Sequence, residues 1–160
     1  MNETQTHAPP NVATGFKIHP PLLALGLFVL TFVLHLSLPE SRDVAWHHAI
    51  GLLLTVGGIG LAFFANALFH ARGTTENPYA EPTQFVSQPP YTFTRNPMYL
   101  GITVTLVGLA VFFNSVVMLL APAVFFAVLD RLVIPREEET MERIFGQQYR
   151  DYQSRVRRWL

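Results

Sequence analysis

Two short stretches hold most of the side chains that could grip a charged ligand: TRNPMYLG at residues 94 to 101, and EETMERIFGQQYRDY from Glu138, preceded by a further Glu137. Arg95 can take a carboxylate in a two-pronged grip, and the Asn96 amide beside it both donates and accepts. Glu137 and Glu138 can accept from an ammonium or a ribose hydroxyl, while aromatic faces suit adenine or a cationic sulfur. These types fit a zwitterionic, nucleotide-like ligand; they describe a pocket and not a reaction. Each also has a plain structural use. Pro97 suits the first turn of a helix, where its missing N–H would be unpaired anyway, and Asn96 suits the capping position before it. Arg95 and Tyr99 suit a membrane interface, and a triple carboxylate at a helix end suits solvent.

The elements that must position these residues follow from apolar patterning. Half of the 160 residues are hydrophobic, 14% are charged and the formal net charge is zero, a charge-poor composition that leans toward lipid. A neutral chain lacks the basic surface that phosphate backbones select, so nucleic acid is not an expected partner. There is no cysteine, which excludes disulfides, thiolate metal sites and a cysteine nucleophile. Mean hydropathy is only +0.29, because polar tails and loops dilute the apolar segments.

Residues 21 to 38 carry no formal charge, and at ~1.5 Å per residue they cross most of a ~30 Å hydrocarbon core. They read as a retained first span, since no small-x-small cleavage site follows. Residues 49 to 69 form a second, with Gly51, Gly57, Gly58 and Gly60 offering a smooth face for an internal or intermolecular contact. From Met98 to Ile134 the apolar run is too long for one crossing and is interrupted at Asn114-Ser115, which predicts a tight helical hairpin. The expected fold is an all-α membrane protein of about four transmembrane helices, a single domain over 1–160. It divides into an N-terminal tail (1–20), the first two spans (21–73) and a second half (74–160).

Four crossings place the N-terminal tail, the 70–97 loop and the C-terminal tail on one side. Ten of the eleven Lys and Arg fall there and Arg42 alone falls opposite, so both termini are expected in the cytoplasm, with the cell inner membrane as the location. Consecutive antiparallel spans begin and end on the same side, so the Arg95-Asn96-Tyr99 lip and the Glu137-Glu138 pair must be neighbours. In the tail, Met141, Phe145, Tyr149, Tyr152, Val156 and Trp159 recur at helical spacing as one apolar stripe. That amphipathic segment either lies among lipid headgroups or folds over the cytoplasmic ends of the spans, and Gly146 can divide it. The five-proline stretch 74–97 is an irregular loop whose Phe85, Tyr91 and Phe93 have something to bury.

Other polar groups are weaker candidates. His35, His47, His48 and His70 do not converge in threes, so no metal site is expected; His70 alone shares the cytoplasmic side. Asp130 is costly within a span and is expected to pair with the adjacent Arg131 or to line the pocket.

The segment QPPYTFTRNPMYLG followed, after an apolar hairpin, by EETMERIFGQQYRDY resembles the catalytic half of the isoprenylcysteine carboxyl methyltransferases and the related membrane phospholipid N-methyltransferases. Their pattern is (S/T)-G-x-Y-x-x-x-R-H-P-x-Y-x-G, then E-E-x-x-(L/M)-x-x-x-F-G-x-x-Y-x-x-Y. The resemblance covers residues 74 to 160. It implies S-adenosylmethionine as methyl donor on the cytoplasmic side and a lipophilic acceptor entering from the bilayer. By position, Tyr91, Asn96, Pro97, Met98 and Tyr99 would line the cofactor pocket, Glu137 or Glu138 would hold its polar end, and Glu76 would add a contact. Strand-like Thr83-Gln84-Phe85-Val86 would supply backbone contacts, Arg95 would be catalytic, and Arg131 would face the acceptor. Two departures stand out: Asn96 replaces the usual histidine, and Pro89-Pro90 replaces the serine-glycine turn. Methyl transfer needs alignment more than a strong acid or base, so neither is prohibitive.

Two other functions share this architecture. A nicotinamide-dependent reductase of the sterol reductase type has a similar C-terminal half in a longer chain. A non-catalytic membrane interaction protein could retain the fold with the same departures. The acceptor and the oligomeric state are not legible at this level.

Overall fold

A computed structural model describes residues 18–38, 46–71 and 85–160, apart from the side chains of residues 69 and 70. The first two spans are α1 (Pro20–Ser37) and α2 (Trp46–Ala71). The hairpin begins with α3 (Pro97–Phe112), turns at Asn114 and returns as a helical rod, Val117–Phe145. In that rod a 3-10 turn leads into α4 (Leu120–Val128), a π-helical segment (Leu129–Val133) and α5 (Ile134–Phe145). After Gly146 comes α6 (Gln147–Arg155), and residues 156–160 are non-helical, leaving α6 through an extended Val156. Helix is the only regular secondary structure among the described residues, which hold no strand, as the apolar periodicity predicts.

Only 17% of each of the first two spans is buried inside the protein, and Leu22, Leu30, Leu53, Val56 and Phe63 stand exposed. Such faces are stable only against hydrocarbon, so the bundle is an integral membrane protein. Hydroxyls within the spans bond back along their own helices: Thr31 to Leu27 O, Thr55 to Gly51 O and Thr105 to Gly101 O, at 2.7 to 2.9 Å. With no water in the bilayer core, back-bonding satisfies the hydroxyl without a partner helix.

The tightest packing joins α2 to α3. Gly51, Thr55, Gly58 and Ala62 face Gly101, Thr105, Gly108 and Phe112, at spacings of four, three and four on both helices, the 3.5-residue repeat of a shallow crossing. A Cβ at Gly58 would stand 2.6 Å from the carbonyl of Gly101, and one at Gly101 would stand 2.6 Å from that of Gly58. Gly51 and Gly58 therefore serve an internal contact, while Gly57 and Gly60 have no atom near their Cβ positions. Behind this pair, Phe125, Leu129, Val133 and Ile134 of the returning rod pack with Leu106 of α3 and Ala24 of α1.

The hairpin turn lies where the apolar run is interrupted: Asn114 adopts φ +48°, and Ser115 Oγ accepts from the Met118 N–H that opens the rod. The rod's 29 residues correspond to about 43 Å, longer than a ~30 Å core, so its last turns carry Glu137 and Glu138 to the membrane edge. The π segment ends two residues before Pro135. In the i→i+5 register the Asp130 carbonyl looks to position 135, where proline has no N–H to give.

Candidate functional site

The lip of α3 and the first turn of α5 meet at one end of the bundle, as antiparallel neighbours must. Pro97 occupies the first turn of α3 and is fully buried. Tyr99 donates its hydroxyl to Glu137 Oε1 at 2.6 Å. Arg95 Nη2 lies 3.2 Å from Glu138 Oε1, with both side chains largely buried. The Nε–H of Arg95 is buried with no partner among the described residues, a costly state for a cationic donor.

The C-terminal segment completes the cluster. Arg158 forms a fork on Glu138, Nε to Oε1 at 3.1 Å and Nη2 to Oε2 at 2.6 Å. Its Nη1 reaches Asp130 Oδ1 at 3.1 Å and the Asp130 carbonyl at 3.4 Å, the acceptor that Pro135 leaves without its N–H. The Arg158 carbonyl accepts from Thr94 Oγ1 at 3.1 Å and Asn96 Nδ2 at 3.0 Å, while the Arg95 N–H donates to Arg157 O at 3.0 Å. Trp159 Nε1 donates to Asp130 Oδ1 at 2.9 Å and its ring lies 4.5 Å from Phe126. Hydrogen bonds, first to Glu138 and then to Asp130, raise the Arg158 pKa and keep it charged.

Three expectations are corrected here. Asp130 pairs with Arg158 and Trp159, not with Arg131, whose side chain is exposed. Neighbours in sequence on a helix point about 100° apart, so adjacency gave Arg131 no advantage. Asn96 occupies the N-cap of α3 but its side chain makes no capping bond, because its amide is given to Arg158 O. The apolar stripe of the tail is not one helical face: Met141 and Phe145 lie on α5, Tyr149 and Tyr152 on α6, and Val156 and Trp159 in the non-helical segment after it. Gly146, at φ +52°, makes the break.

That broken segment folds over the 85–96 loop. Phe85 packs against Phe145, Tyr149 and Tyr152 at centroid distances of 5.1 to 6.1 Å, and the Tyr152 hydroxyl donates to Tyr91 O at 2.6 Å. Burial, then the Glu138 carboxylate, pushes the Tyr149 phenol up to about 12 against the lowering pull of Arg95; burial likewise raises Tyr152. Phe85 and Val86 lie in irregular chain, not in a strand. Tyr91 and Val86 are buried with Ala65 of α2, and Met98 packs against them. Thus Arg95, Asn96, Tyr99, Glu137 and Glu138 come together around polar contacts, whereas Val86, Tyr91 and Met98 form an apolar cluster beside them. Glu76, Thr83 and Gln84 lie outside the described residues, as does the side chain of His70.

Four residues of the cluster escaped sequence reasoning in this role: Thr94, Arg157, Arg158 and Trp159. The signal for them was a pair of arginines followed by tryptophan just past a helix stop, RRWL, a composition that favours anchoring over a free end. On the bilayer side, a cleft of about 280 Å³ opens between α1, α2 and α3, lined by Ala24, Phe28, Ile59, Phe63, Ile102 and Leu106 among others. Ile102 stands one turn from Tyr99 on α3, so an apolar surface runs up to the polar lip.

A family model described as phospholipid methyltransferase matches residues 46–148, from the start of α2 into α6. An uncharacterized protein of Haemophilus influenzae is 35% identical over 63 residues, which is 39% of this chain and the whole of that protein. No solved structure matches the chain.

Proposed function

The chain belongs to the phospholipid methyltransferase family, and from that premise we propose that it transfers a methyl group from S-adenosylmethionine to a lipophilic acceptor presented by the bilayer. The observation that carries this reading is the buried, unpartnered Nε–H of Arg95 beside two glutamates at the membrane edge. An amino-acid carboxylate would satisfy that donor, and a glutamate oxygen would accept from the ammonium or a ribose hydroxyl, so the residues present fit the cofactor. When bound, the cofactor supplies an electrophilic methyl group on a sulfonium.

The protein's part is binding, orientation and exclusion of water. Arg95 and one glutamate, Glu137 or Glu138, hold the polar end, and the neighbouring Tyr91, Pro97, Met98 and Tyr99 shape the wall. Asn96 keeps a hydrogen-bonding group where the family pattern has histidine, without imidazole proton chemistry. The α1–α2–α3 cleft offers an acyl or prenyl chain a path to the lip. Arg131, exposed on the π segment of the returning rod, is the cation this reading assigns to the acceptor side. Alignment of an acceptor lone pair with the methyl carbon is what such a site must achieve. A cytoplasmic location of the site is the reading that the arginine distribution supports.

Titration of the detergent-solubilised protein with S-adenosylhomocysteine and, separately, with NADPH tests the cofactor. Binding of the first alone supports the proposal; binding of NADPH alone favours a reductase, and binding of neither favours a non-catalytic protein. Labelled-methyl transfer to fractionated lipid and peptide extracts then identifies the acceptor class.

A further inference from the structure

The family match ends at residue 148, yet the groups that hold the lip together come from residues 157 to 159. Arg158 has contacts at both its backbone and its side chain. Its carbonyl takes the Thr94 hydroxyl and the Asn96 amide, and its guanidinium takes Glu138 and Asp130. One residue thus ties the lip before α3 to the π segment and to α5.

The consequence for Glu138 is chemical. Its Oε1 is shared by Arg95 Nη2 and Arg158 Nε, and its Oε2 is held by Arg158 Nη2 at 2.6 Å. A carboxylate so engaged has little left for a ligand. Glu137 differs: Tyr99 binds Oε1, and among the described residues Oε2 has no hydrogen-bond donor. Arg95, clamped at Nη2 by Glu138 and through its backbone N–H by Arg157 O, keeps Nε as the donor still to be paired.

We propose that Arg158 is a positioning residue, acting through Glu138 to aim Arg95 at the carboxylate of the bound amino-acid moiety, and that Glu137, not Glu138, is the glutamate that meets the ligand. This rests on the cofactor reading above. A planar guanidinium is needed, because the fork on Glu138 and the contact to Asp130 are made at once by nitrogens fixed in one plane. Lysine, a point charge, can serve one carboxylate and not both.

The test compares two nucleosides on the full chain: S-adenosylhomocysteine, which has the amino-acid moiety, and 5′-methylthioadenosine, which lacks it. Arg158→Ala is expected to weaken the first by about tenfold or more and to leave the second within about twofold, with Arg158→Lys intermediate. Glu138→Gln should show the same selective loss, whereas Glu137→Gln should cost affinity while Arg95 stays clamped. In a double-mutant cycle, Arg158→Ala should add little once Arg95→Ala is present. Equal loss for both nucleosides, or loss for neither, overturns the proposal. Should Arg158→Ala not fold, Arg158→Lys and Glu138→Gln give the same ratio with little change of volume. If the unaltered protein binds neither nucleoside, the cofactor reading itself has failed, and the titration of the unaltered protein shows this before any variant is made.

Discussion

The hydroxyl of Tyr99 donates to Glu137 Oε1 at 2.6 Å, joining the first turn of α3 to the first turn of α5 across the hairpin. A short bond to a carboxylate, partly shielded from water, is stronger than a neutral pair and costs more when one partner is removed. Tyr99→Phe should therefore destabilise the bundle by about 1–3 kcal/mol and also weaken S-adenosylhomocysteine. Chemical denaturation in detergent and ligand titration read the two effects. A variant unchanged in both would mean that this bond neither supports the hairpin nor shapes the site.

Close approach of α2 and α3 makes a contrast within one helix. Gly58→Leu must push Gly101 away, since even a Cβ there stands 2.6 Å from its carbonyl, whereas Gly57→Leu has open space. Overpacking of this kind costs roughly 1–3 kcal/mol or more. Melting temperatures should fall clearly for Gly58→Leu and hardly at all for Gly57→Leu. The reverse order would contradict the crossing described.

Buried phenols set an alkaline limit. Burial raises Tyr149 to about 12, above the unfolded value of 10.0, so the neutral phenol is favoured in the fold. Its stabilising contribution is present in full below pH 10 and is lost as pH rises through the folded value. Absorbance titration should show Tyr149 still neutral at pH 11, where an exposed tyrosine is largely phenolate; Tyr149→Phe assigns the signal. Ionisation at ordinary pH would mean the segment does not cover the loop.

Tyr152→Phe removes the donor to Tyr91 O, a bond between two buried residues. Loss of this buried hydrogen bond should cost about 1–3 kcal/mol. Because the lost bond fastens α6 over the loop, proteolysis near residues 146–155 should accelerate before the spans unfold. A melting curve and digestion pattern matching the unaltered protein would show that ring packing alone holds the segment.

Orientation has a direct test in a chain without cysteine. Val116 and Leu160 are both highly exposed, at opposite ends of the rod and tail. An impermeant maleimide should label Val116→Cys in right-side-out vesicles and Leu160→Cys in inside-out vesicles. The opposite pattern would reverse the orientation drawn from the arginines.

Much of this architecture was written in local patterns. The charge-free runs define the spans, the Asn114-Ser115 interruption defines the hairpin, and Pro97 marks where α3 begins. From those facts alone the lip and the Glu137-Glu138 pair had to be neighbours, because antiparallel helices joined by a short turn return to the side they left. Gly146 likewise announced a break, although its consequence for the stripe from Met141 to Trp159 was not visible. Helical periodicity continues to be countable through a residue that ends the helix.

What the amino-acid sequence determined, then, was the number and direction of the helices and which end of the bundle gathers opposite charges, since those depend on runs and turns only a few residues long. Partner choice at that end was decided by the tertiary structure. Arg158 meets Glu138 across 20 residues and Asp130 across 28, and its carbonyl meets Asn96 across 62. No local spacing encodes those pairs. They form because Pro135 leaves the Asp130 carbonyl without an N–H, Gly146 turns the chain back, and an arginine fork then finds both acids within reach.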